Sequence, residues 1–183
     1  MFIDVHELEL RRIEFDGKFP PGAIDLAPDV RQAGPLSALG HAELVEEHHG
    51  GKGKIIQDIR LVGELHTGVE LYCARCLEPV MREVDRAFDL LFRPQGSDSG
   101  EDERGVREAE AEIGYYEGNG LLLEDVLREQ VLLALPMRAI CRDDCRGLCP
   151  QCGQNRNTGG CACAPGPDAR WEALSHIKDK LRP

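Results

Sequence analysis

At 183 residues, with 42% apolar and 5% aromatic side chains, the chain has material for one core, or one core plus a small added lobe. No apolar run nears the ~20 residues that a membrane helix needs, which excludes a helical span. The net charge of −11 is uneven: residues 121–183 sum to +1 and residues 1–120 to −12, so the N-terminal two thirds would be repelled by a polyanion such as RNA.

Val5 to Phe15 alternates loosely and reads as a first strand with Leu8, Leu10, Ile13 and Phe15 toward a core. Phe19-Pro20-Pro21-Gly22 stops it. Residues 22–36 have no period and read as loop, and Ala42 to Glu46 as a short strand. His48-His49 beside Gly50-Gly51-Lys52-Gly53 reads as a solvated hairpin tip. Lys54 to Cys73 is extended, with Ile55, Ile59, Leu61, Leu65, Val69 and Leu71 at odd positions, and Gly63 and Thr67-Gly68 expected to bend or break it. After the turn Leu77-Glu78-Pro79, Val80 to Phe92 returns as a partner strand with Val84, Phe88 and Leu90 inward. Pro94 to Arg107 is polar, charged and read as a mobile loop. Ala111 to Tyr116 reads as a short strand.

Asn119-Gly120 opens a main helix, Leu121 to Leu135. Asn119 is placed to cap it, Glu124 and Asp125 suit the positive end of its dipole, and Leu123, Val126, Leu127, Val131 and Ala134 form its apolar stripe. Pro136 ends it. After the linker Pro165-Gly166-Pro167, Asp168 to Leu181 reads as a short final helix with Trp171, Leu174 and Ile177 on its apolar edge. The expected fold is α+β: an antiparallel sheet, flat or curled, packed by one main helix, with a C-terminal cysteine-rich lobe. The expected units are a body over 1–136, a zinc lobe over 137–163, and a linker and helix over 164–183.

The eight cysteines carry the chemistry. Cys149-Pro150-Gln151-Cys152-Gly153 has the form of a metal knuckle, two thiols about a tight turn, and Cys161 and Cys163 follow a polar loop that can close the same site. Cys73 and Cys76 form a second CxxC, and Cys141 and Cys145 a further pair. Two sites of four thiolates are expected, one from Cys73, Cys76, Cys141 and Cys145, the other from Cys149, Cys152, Cys161 and Cys163. Exchange of one pair between them stays open. Zinc, one or two ions, is the expected cofactor, and an iron–sulfur cluster a lesser metal reading. The even count leaves disulfides open. Met1 to Leu10 carries Asp4, Glu7 and Glu9 with no apolar export run, so a cytoplasmic location with reduced thiols is expected.

Three stretches resemble a known family. Leu71-Tyr72-Cys73-Ala74-Arg75-Cys76-Leu77-Glu78-Pro79, the helix Leu122 to Pro136, and Gly147 to Asn157 with the closing Cys161-Ala162-Cys163 are similar to the YceD-type large-ribosomal-subunit RNA accumulation proteins. One departure is Arg156, at a place between two asparagines where an apolar residue is expected. The resemblance implies a role in accumulation of large-subunit (23S) ribosomal RNA and ribosome assembly, and it implies no enzyme.

The expected partner is large-subunit ribosomal RNA or a basic ribosomal protein. Contacts are expected from Arg138, Arg142, Arg146 and Arg156, whose bland alternative is balancing thiolate charge, together with Asn155 and Asn157. No aromatic residue lies between Leu121 and Cys163, so base stacking there is not expected. Competing readings are a protein–protein adaptor without RNA contact and a thiol redox protein using Cys73 and Cys76. A hydrolase ranks last, because four-thiolate zinc sites lack the open position that catalysis needs.

Overall fold

One antiparallel meander dominates the computed structural model, which describes residues 1–49, 54–97, 113–163 and 170. In chain order come β1 (Phe2–Asp4), α1 (Val5–Leu8), β2 (Ile13–Phe19), β3 (Arg31–Gln32), β4 (Leu36–His49), β5 (Lys54–Tyr72), β6 (Pro79–Pro94), β7 (Ile113–Tyr116), β8 (Gly120–Leu122) and α2 (Leu123–Ala134). The main sheet runs β2-β4-β5-β6-β7, with β3 also on β5; β1 and β8 form a separate pair. All the pairings are antiparallel except β6 with β7, which is parallel. The architecture is the expected α+β class, with a sheet that is mixed at one edge.

The inner face of the meander and the apolar stripe of α2 form the core. Phe15, Ala38, Leu61, Leu65, Val69, Val84 and Phe88 face Leu123, Val126, Leu127 and Val131 within one buried cluster. Each fully buried aliphatic contributes about 1.5–3 kcal/mol, so this face holds α2 to the sheet more firmly than helix propensity does. The alternation read from β5 holds from Ile59 to Leu71, but Ile55 is exposed and Ile56 is buried.

Several expected boundaries move for local reasons. Val5 to Phe15 is not one strand. Asp4 accepts a hydrogen bond from His6 N at 2.8 Å, which starts the single turn α1, and Val5 and Leu8, three apart, share its buried side. Leu10 is left exposed. The short strand expected at Ala42 to Glu46 extends to the full β4. Asn119 does not cap α2. Its carbonyl accepts from Val5 N at 2.7 Å, and Gly120–Leu122 pairs with β1 before the helix begins. Gly63 does not break β5. It lies directly opposite Gly40, and a Cβ on either would come within 3.0 Å of the Phe15 ring. These glycines make room for core aromatics. The hairpin tip at 50–53, most of the polar loop after Pro94, and the final helix with Trp171, Leu174 and Ile177 lie outside the described residues.

Near β7 the outer face of β5 is buried as well. There Arg93 donates to Asp58 through Nε at 3.1 Å and Nη2 at 2.8 Å, with both side chains almost fully buried. Tyr116 closes the same region by donating to Gln57 O at 3.0 Å. A buried charge left without its partner is costly. Arg93→Ala is therefore expected to lower stability by about 3–5 kcal/mol in urea unfolding. Arg60→Ala, at the solvent-exposed pair with Asp89 and Glu43, is expected to change it far less.

Candidate metal centres

The β5–β6 register carries Tyr72 opposite Pro79, so Cys73 to Glu78 form the hairpin tip. Cys73 N donates to Glu78 O at 2.8 Å and Leu77 N donates to Cys73 O at 2.9 Å. Cys149 to Gln154 repeat this ring: Cys149 N donates to Gln154 O and Gly153 N to Cys149 O, both at 2.9 Å. The residue after the second cysteine has positive φ in each, 62° at Leu77 and 72° at Gly153. The two CxxC motifs are one local structure used twice. The second uses glycine where the backbone asks for it; the first accepts a strained leucine.

The chain leaving α2 supplies the other half of the first group. Ala74 N donates to Ala139 O at 2.8 Å, which sets Cys141 and Cys145 against the hairpin tip. Arg82 Nη2 donates to Ile140 O at 2.8 Å, and Arg75 Nη1 donates to Asp143 O at 3.0 Å and Cys145 O at 3.1 Å. The sulfurs of Cys73, Cys76, Cys141 and Cys145 gather within 4.8 Å of one another, and those of Cys149, Cys152, Cys161 and Cys163 do the same. These are the quartets suggested by spacing, without exchange of a pair. They are called proximal and distal below.

The separations test what the quartets fit. Cys73 Sγ lies 3.9 Å from Cys145 Sγ, and Cys76 Sγ 3.7 Å from Cys141 Sγ. A tetrahedron with metal–sulfur bonds of about 2.3 Å has edges of about 3.8 Å. All eight cysteines are free thiols, and these spacings are far beyond a disulfide bond of about 2.0 Å. The proximal quartet is the drier: Cys73, Cys76 and Cys145 are buried, and Val80, Ile140 and Leu148 pack around them.

Backbone amides and sulfur crowding act on the thiols in opposite directions. Burial pushes the Cys73 thiol up, but the N–H groups of Arg75, Cys141 and Cys76 outweigh it and bring it down to about 6. Cys149 also falls to about 6, through the N–H groups of Cys152 and Gln151 foremost. Burial and the neighbouring sulfurs push Cys141 up to about 12, and Cys152 followed by burial does the same to Cys163. Backbone amides thus favour the thiolate at Cys73 and at Cys149. At Cys145 burial pushes the thiol up, but the Asn157 side chain and the Gly147 N–H outweigh it. Crowding opposes full ionisation of either quartet.

Two asparagines and two backbone positions join the quartets. Leu148 N donates to Arg75 O at 2.9 Å and Arg156 N to Gly147 O at 2.9 Å, with Leu148 and Asn155 bridged as in a ladder. Asn155 Nδ2 donates to Glu78 Oε1 at 3.1 Å, and Asn157 Nδ2 to Cys145 Sγ at 3.4 Å. Arg142 donates to Asn157 Oδ1 at 3.1 Å and pairs with Asp144. Among the residues expected to meet a partner, Asn155, Asn157 and Arg142 therefore have bonds within the lobe. Arg138, Arg146 and Arg156 are exposed, with no side-chain hydrogen bond among the described residues. Sequence reasoning missed Arg75, Arg82, Gly147 and Leu77. The signal for Leu77 was present in the parallel of CxxCL with CxxCG.

Residues 61–178 match the family described as large ribosomal RNA subunit accumulation protein YceD. The chain belongs to this family. An uncharacterized protein of Mycobacterium tuberculosis is 43% identical over 119 residues, covering 60% of this chain and 53% of that protein. The maize protein named large ribosomal RNA subunit accumulation protein YCED homolog 1, chloroplastic, is 26% identical over 130 residues, 58% of this chain and 44% of its own. The Arabidopsis thaliana protein of the same name is 24% identical over 146 residues, 68% and 46%. The chain spans about half the length of the curated relatives it matches. No solved structure matches it. Among the described residues no helix is long and apolar enough to cross a membrane.

Gly147 has φ of +70°, and a Cβ there would lie 2.9 Å from Arg75 O. Gly147→Ala is expected to cost at least the roughly 1–2 kcal/mol of left-handed backbone strain. It should also loosen both quartets, read as a lower thermal midpoint and faster alkylation of the native thiols.

Proposed function

We propose that this is a non-catalytic factor for large-subunit assembly, whose two thiol quartets each hold a zinc ion as a structural staple. The observation that carries the metal reading is the pair of compact four-sulfur groups built on matching knuckles. Zinc suits an all-thiolate tetrahedral set. An iron–sulfur cluster would need its ligands spread around several metal atoms rather than within 4.8 Å of one another. The family match carries the link to large-subunit RNA accumulation.

Support for a non-catalytic role comes from both faces of the molecule. Four thiolates leave a bound zinc no open position. The outer face of the sheet has a cavity of about 410 Å³ lined by Ser37, His66 and Asp85 among others. They are not arranged as a nucleophile and base. Ser37 Oγ donates to the His66 carbonyl at 3.4 Å, His66 Nδ1 lies 2.6 Å from Asp85, and its Nε2 faces Glu83 at 3.7 Å. Asp85 raises the pKa of His66 and so favours its protonated form.

Charge favours a basic ribosomal protein as the direct partner. The chain carries −11, and each four-thiolate zinc centre would add a local charge of about 2−, with Arg75, Arg82 and Arg142 lying near the proximal one. Contact with ribosomal RNA is the second reading, favoured by the exposed Arg138, Arg146 and Arg156, which would take phosphate and shape contacts. The partner experiment is co-sedimentation with large-subunit precursor particles, followed by nuclease digestion. Retention of the chain on a basic ribosomal protein after digestion is expected. Release with the RNA fragments would favour the arginines, and no association with precursor particles would reject the assembly reading. For the metal, chelation under reducing conditions is expected to lower the thermal midpoint, and zinc alone to restore it.

A further inference from the structure

The loop that closes the distal quartet supplies a ligand-shell contact to the proximal one. This loop joins Cys152 to Cys161, so its two ends are anchored by two sulfurs of the distal group. At its middle, Asn157 Oδ1 accepts from Arg146 N at 2.8 Å and from Arg142 Nη2 at 3.1 Å. Those two donors fix which end of the amide faces which way. The NH₂ end is left facing Cys145 Sγ at 3.4 Å. Asn157 N in turn donates to Asn155 Oδ1 at 3.0 Å, so the asparagine is held from its own backbone as well.

We propose that the distal quartet is a positioning device for the proximal one, with Asn157 as the coupling residue, so that the two quartets bind metal with positive cooperativity. This rests on the metal reading above. With the distal quartet open, the ends of the loop are not held together, and ordering Asn157 against Cys145 costs conformational entropy that falls on the proximal site. With it closed, that cost is already met. The N–H end of Asn157 then arrives in place to stabilise a thiolate, the task that outer-shell donors perform at metal sites. By linkage, an ion in the proximal quartet favours closure of the distal one by the same factor. Asn157 touches no ion; it acts through Cys145.

Cobalt titration of the reduced, metal-free full chain, with zinc competition, tests this. Cobalt absorption reads thiolate coordination directly, and a Cys73→Ser chain marks the distal signal. Asn157→Ala is expected to lower proximal affinity by about 10- to 100-fold. A chain with Cys161→Ser and Cys163→Ser should lose at least as much at the proximal site, and adding Asn157→Ala to it should cost little more. Asn157→Asp keeps the acceptor for Arg146 N and removes the donor to sulfur. It should weaken the proximal site while circular dichroism shows the fold intact. Unchanged affinity in Asn157→Asp, or the same loss from Asn157→Ala whether or not the distal quartet is intact, overturns the coupling. Failure of the metal reading looks different: no variant, nor the native chain, takes up cobalt or zinc, and the coupling falls with it.

Discussion

The described chain beyond α2, residues 135–163, is built around four sulfurs that come from two distant parts of the sequence. Cys73 and Cys76 arrive at the end of the longest hairpin, and Cys141 and Cys145 arrive where the chain leaves the helix. Residues 136–163 have few apolar side chains of their own. Val80, Ile140 and Leu148 pack around the proximal sulfurs, and beyond them the lobe is held by backbone hydrogen bonds and arginine-to-carbonyl contacts. So small a cluster cannot offset the ordering of more than twenty residues. The metal proposed for the crossing point would supply what the missing core does not, since binding of this kind is worth about 10–16 kcal/mol in small zinc modules.

The sheet serves that crossing point. Its strands are long, and the register of β5 with β6 is kept over many pairs, so the hairpin tip is held by the main core. The helix α2 lies on the same core and delivers Ala139 to the backbone of Ala74. Both halves of the proximal quartet are thus positioned by hydrophobic packing. Among the described residues the distal quartet has no such support. It is built on a knuckle, a loop and a CxC pair, tied back through Gly147, Leu148 and the two asparagines. The order of dependence runs from core to proximal site to distal lobe, with a return contact through Asn157.

Much of this was legible in the sequence, for physical reasons that differ from element to element. The apolar stripe of α2 and the alternation of β5 and β6 were readable because packing against one core leaves a period. The grouping of eight cysteines was readable because thiol pairs two residues apart match one edge of a tetrahedron. The turn at Val5 was not, because it depends on Asp4 as a cap and overrides a strand-like alternation. The parallel placement of β7 and the pairing of β8 with β1 are long-range choices that leave no local mark. The internal bonds of Asn155 and Asn157 were likewise hidden: a polar residue in a glycine-containing loop looks the same whether it meets a partner or a sulfur across the fold.

The most direct measurement is metal content and coordination on the same untagged protein, purified without chelator: elemental analysis for the number of ions, and X-ray absorption at the zinc edge for their ligands. Two zinc ions per chain, each with a shell of four sulfurs at about 2.3 Å, is the result this account requires. No zinc in fresh, anaerobically prepared protein, or a shell containing nitrogen and oxygen in place of the four sulfurs, would contradict it.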